Sequence, residues 1–85
     1  MDLNELRAKI DRTDDEILSL FIERMEFCAD VAKYKKANNL EILQSDRERE
    51  LLNRIANQTP KDMRFEALEF YNKILEISKS YQSRF

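Results

Sequence analysis

The chain contains no glycine, no histidine and no tryptophan, and only one proline and one cysteine. Each absence excludes a class of function. Without glycine there is no dinucleotide fingerprint, no phosphate-cradling P-loop and no glycine-based hairpin turn. Without histidine the commonest general base and the commonest zinc ligand are missing, and with them every Ser-His or Cys-His pair. Cys28 alone can form neither an intrachain disulfide nor a thiolate cluster, which fits a cytoplasmic compartment. No metal site of histidine or thiolate ligands is expected. Long apolar runs are also absent. The best, Ile17-Leu18-Ser19-Leu20-Phe21-Ile22, is far below the roughly 20 residues that cross a membrane. Asp2, Glu5 and Asp11 stand where a secretory leader would be basic and then apolar.

The 85 residues carry 15 Lys plus Arg against 17 Asp plus Glu, a formal charge of −2 that argues against nucleic acid as a partner. The length allows a single domain over 1–85. A domain this short buries about 60% of its unfolded surface. Lacking disulfides and metal, it is expected to gain stability from a partner chain.

Breaks in helical character fall at Asn38-Asn39 and at Asn57-Gln58-Thr59-Pro60. Before the first, Leu3, Leu6, Ile10, Thr13, Ile17, Leu20 and Arg24 advance in steps of three and four, and the stripe continues through Cys28, Val31 and Lys35. Asp2 with Glu5 forms a capping-box start, and Ser45-Asp46-Arg47-Glu48 offers a second. A third segment starts at Thr59-Pro60, with proline at the first helical position, and carries Ala67, Leu68, Tyr71, Ile74, Leu75, Ser78 and Tyr81. The fold class is therefore all-α, with three helices: long, short, long. The first, over about residues 3–38, would run roughly 54 Å, whereas a compact chain of this size has a radius of gyration of about 12 Å. Its seam needs a second copy, so an intertwined antiparallel homodimer is expected. The alternative, a kink near residues 13–16 that folds the chain into a monomeric four-helix bundle, has no proline or glycine to mark it.

Two cations occupy the apolar stripe. Arg24 and Lys35 are 11 residues apart, three turns and about 20°, so they point the same way. An inward cation is costly unless paired. Either an anionic ligand receives them, or they snorkel outward or pair with a carboxylate such as Glu48. Arg7 lies 17 residues before Arg24, about 26 Å away and about 100° around the helix, out of reach of a small ligand at Arg24 unless an antiparallel partner brings it. Glu48 suits a capping role, Arg47 surface solvation, and Ser78 and Gln82 are uncharged donors near a helix end.

Leu6-Arg7-Ala8-Lys9-Ile10-Asp11, Asp14, Ile17-Leu18, Arg24, Val31-Ala32-Lys33-Tyr34-Lys35, Asp46-Arg47-Glu48-Arg49-Glu50 and Ser78-x-x-x-Gln82, in that order and spacing, resemble the all-helical (type II) chorismate mutase family. The resemblance covers nearly the whole chain. It implies an interlocked dimer whose first helix spans both subunits, with two equivalent sites. It also implies an isomerase of phenylalanine and tyrosine biosynthesis that converts chorismate to prephenate without a cofactor. By resemblance, Arg24 and Arg7 of the partner subunit clamp the two carboxylates, and Lys35 meets a carboxylate and the ether oxygen. Gln82 is the second donor to that oxygen. Glu48, helped by backbone near Gln44, accepts from the ring hydroxyl. Ser78 assists at a carboxylate and Arg47 orders the edge. Gln44 stands where some members carry an acid, and no fused dehydrogenase or dehydratase is expected. Two other readings are an isochorismate pyruvate-lyase, a branch in which the Glu48 position tends to be apolar, and a non-catalytic helical dimerisation module.

Overall fold

The computed structural model describes residues 2–42 and 45–85. Helix α1 spans Leu3–Ala37, α2 spans Ser45–Gln58 and α3 spans Arg64–Gln82, with a single 3-10 turn over Lys61–Met63 leading into α3. The expected order of long, short and long helices holds.

Local chemistry sets the ends of α1. The Glu5 backbone N–H donates to the Asp2 carboxylate at 2.8 Å, so one of the orphan donors at the helix start is satisfied. At the other end Asn39 takes a left-handed φ of 56°. The Leu40 N–H then reaches back to the Lys35 carbonyl at 2.8 Å, and the Asn39 N–H to the Lys36 carbonyl at 3.4 Å. These are the two bonds of a Schellman ending, with asparagine in glycine's usual position.

The start of the third helix differs from the sequence expectation. Pro60 is extended, at φ −53° and ψ 144°, and stands before the 3-10 turn rather than inside an α-helix. Met63, at φ −116° and ψ 3°, interrupts the α-helical progression, so α3 begins only at Arg64.

Helix α3 packs against α1 on one side and α2 on the other. The core is thin, with Ala29, Ala32, Leu51 and Ile74 as the buried apolar residues among those described. No break interrupts α1, so the kinked four-helix arrangement is not what this chain adopts. The molecule measures 54 × 25 × 15 Å with a radius of gyration of 16.0 Å, well above the roughly 12 Å of a compact chain. Every residue from Asp2 to Leu20 is exposed. That stretch includes Leu3, Ile10 and Leu20 at 59%, 58% and 63% exposure, a stripe left largely bare by the described residues of its own chain. Among the described residues, no helix is long and apolar enough to cross a membrane.

Candidate active site

The three helices converge on a cavity of about 240 Å³. Helix α1 contributes Arg24, Cys28, Val31 and Lys35, one face at steps of four, three and four. The first turn of α2 contributes Arg47 and Glu48, and α3 contributes Leu75, Ser78, Lys79 and Gln82, again one face. Ile42 reaches in from the connection between α1 and α2. Val31, Ile42 and Leu75 form apolar wall. Among the described residues the charged lining is four cations, Arg24, Lys35, Arg47 and Lys79, against the single carboxylate of Glu48.

Uncharged groups hold two of these cations. Arg24 Nη1 donates to Ser78 Oγ at 2.6 Å and approaches Cys28 Sγ at 3.6 Å. Lys35 Nζ donates to the Ile42 carbonyl at 2.9 Å. Among the described residues neither Arg24 nor Lys35 forms an ion pair. Both are half-buried. Cations drawn inward and balanced only by neutral oxygens leave an unmet demand for negative charge. Ser78 and Gln82 are the buried polar residues, at 5% and 8% exposure. Gln82 Nε2 donates to the Cys28 carbonyl at 3.2 Å, which pins its amide against α1. An amide nitrogen carries two N–H donors, so one remains for a ligand.

The model for the family described as chorismate mutase type II matches residues 6–83. This chain belongs to that family. The chain is 43% identical over 54 residues to the bifunctional chorismate mutase/prephenate dehydratase of Aquifex aeolicus (strain VF5). That alignment covers 64% of this chain and 15% of the relative, so the chain spans a small part of the relative's length. No solved structure gives a significant match to the chain. The chain is therefore a domain of the chorismate mutase type II family.

Six of the residues singled out in the sequence of this chorismate mutase domain line one pocket: Arg24, Lys35, Arg47, Glu48, Ser78 and Gln82. Arg47 lies at its edge, with its guanidinium turned to Glu50 at 3.3 Å and 60% of its side chain exposed. Arg7 does not join them; it stands on the exposed first half of α1. Gln44 lies outside the described residues. The sequence offered Glu48 as a partner for Arg24 or Lys35, but its carboxylate pairs with Lys79 at 3.0 Å. Lys79 escaped notice because it sits one residue off the α3 stripe. Its one available signal was its spacing of three from Gln82, which places both on one side of a helix. Cys28, which continues the α1 stripe, lies on the pocket wall.

Proposed function

We propose that the chain catalyses the rearrangement of chorismate to prephenate in the cytoplasm, as a single domain over 1–85 that works as a homodimer. One observation carries this reading: Arg24 and Lys35 face one pocket without a carboxylate partner among the described residues, beside Gln82 and Glu48. The substrate is a dicarboxylate with an ether oxygen and a ring hydroxyl. Its rearrangement is intramolecular. The ether C–O bond breaks as a new C–C bond forms, within one cycle of electrons, so no nucleophile or external proton donor takes part.

The protein's task is then to hold a folded conformer and to meet charge as it develops. Arg24 grips one carboxylate, and its guanidinium can do so through two parallel bonds. Ser78 holds Arg24 in place and assists at the same carboxylate. Lys35 reaches a carboxylate and the ether oxygen, which gains negative charge in the transition state. Gln82 supplies the second donor to that oxygen. Glu48, with backbone near Gln44, accepts from the ring hydroxyl, and Arg47 orders the rim. The second carboxylate needs a further cation, which Arg7 of the partner subunit provides. The 54 Å length of the molecule and the bare apolar stripe on α1 support the dimer that this requires.

The deciding experiment incubates the purified chain with chorismate, follows the loss of its diene absorbance and identifies the product. Prephenate is the expected product. Absence of conversion by a folded dimer would sink this reading and make isochorismate, with salicylate as product, the next substrate to offer.

A further inference from the structure

Lys79 is the cation that pairs with another pocket residue among those described. Its ammonium lies 3.0 Å from Glu48 Oε1, and the two side chains are 44% and 22% exposed. Lys79 belongs to the last turn of α3 and Glu48 to the first turn of α2. Each already stands where its own helix dipole favours its charge. A partly exposed pair of this kind adds little to stability. The fold therefore gives no strong reason for the contact, and the pocket gives two.

First, Glu48 is the sole carboxylate among the described residues of a pocket whose other charged groups are cations. Uncompensated, it would repel a dicarboxylate. An ammonium at 3.0 Å offsets that charge while leaving the carboxylate able to accept a hydrogen bond. Second, a glutamate side chain has three rotatable bonds, and fixing one oxygen selects among its rotamers. We propose that Lys79 is a positioning residue that acts through Glu48. It fixes the carboxylate to receive the substrate's ring hydroxyl and shields the substrate's carboxylates from it. This role rests on the chorismate reading. It deepens that reading by assigning Lys79 to substrate affinity rather than to the bond-changing step.

The test is a double-mutant cycle on the full chain with chorismate as substrate, using Lys79→Met, Glu48→Gln and the double variant, with Lys79→Arg as rescue. Loss of a charge-assisted contact to the acceptor predicts a KM about tenfold higher for Lys79→Met, with kcat within about threefold of the parent. Lys79→Arg should return KM to within about threefold of the parent, since it restores the cation. In the Glu48→Gln background, Lys79→Met should change KM by less than about twofold, because the group it acts through is gone. Thermal unfolding of all four variants should show midpoints within a few degrees of the parent, which a structural role would not.

Two results overturn the proposal while leaving the chorismate reading intact. One is an unchanged KM in Lys79→Met. The other is an equal rise in both backgrounds, which would make Lys79 a direct substrate ligand. Failure of the chorismate reading has a different signature, absence of turnover by the parent chain, and it removes this role as well.

Discussion

Arg24 Nη1 donates to Ser78 Oγ at 2.6 Å, across 54 residues of sequence, and this bond ties α1 to α3 at the pocket. It aims a guanidinium without giving it a counter-charge. The arrangement suits a site that waits for an anion. It also separates what Arg24 does for function from what it does for the fold.

Arg24→Ala tests that separation. Removing a charge that stabilises a transition state costs on the order of 10²- to 10³-fold in rate. Removing a half-buried, unpaired cation costs the fold little and can stabilise it. The expected variant keeps its helicity by circular dichroism, melts at or above the parent's temperature, and loses at least about 10²-fold in kcat/KM. Unchanged turnover would remove Arg24 from the site.

Gln82 offers a pH signature. Its amide donates to the Cys28 carbonyl at 3.2 Å and, in the proposed mechanism, to the ether oxygen as well. A carboxylate in the same place can only accept, whereas a protonated acid can donate. Glutamate ordinarily protonates near pH 4.3. Gln82→Glu should therefore be almost inactive at neutral pH and gain kcat relative to the parent steadily as pH falls. Gln82→Ala, without a donor at any pH, should stay slow throughout. A Gln82→Glu profile parallel to the parent's would rule out the amide as a donor to the reacting oxygen.

Much of this architecture was legible in the sequence because its determinants are local. Asp2 and Glu5 are three residues apart, and the Asp2 carboxylate accepts from the Glu5 N–H as that spacing implies. Asn38-Asn39 ends α1 because asparagine tolerates the left-handed backbone that the ending requires. Arg24, Lys35, Ser78 and Gln82 reach one pocket because each recurs at helical spacing on a stripe that faces inward. The Glu48–Lys79 contact was not legible, since it depends on how the start of α2 meets the end of α3. Nor was the 3-10 turn before α3. A proline before a helix marks a start, but not how many residues pass before α-helical bonding takes over.

The apolar stripe on the first half of α1 makes a prediction about assembly. Leu3, Ile10, Ile17 and Leu20 are all well exposed within one chain. Sedimentation or light scattering should give twice the 10.2 kDa chain mass, and the melting temperature should rise with protein concentration. Leu20→Asp would place an unpaired charge in the buried seam, a cost of several kcal/mol. This variant should lose the dimer and much of its helicity together. A parent chain that stays at 10.2 kDa at micromolar concentration would contradict the assembly on which Arg7's role depends.

Arg7 and Arg24 supply the sharpest test of a shared site. They lie 17 residues apart on one unbroken helix, about 26 Å along its axis. One chain cannot present both to the same small dicarboxylate, whereas two antiparallel chains can. Arg7→Ala and Arg24→Ala should each be almost inactive as homodimers. Mixed in equal amounts and allowed to exchange subunits, they should recover activity. In every heterodimer one site combines the intact Arg24 of one chain with the intact Arg7 of the other, and the second site lacks both. Random exchange makes half of all dimers mixed, so about a quarter of all sites are restored. The recovered rate should approach about a quarter of the parent's at saturating chorismate. Exchange must be followed independently, for instance by mass spectrometry of differently tagged chains. Full exchange without recovery would show that Arg7 does not complete the partner's site.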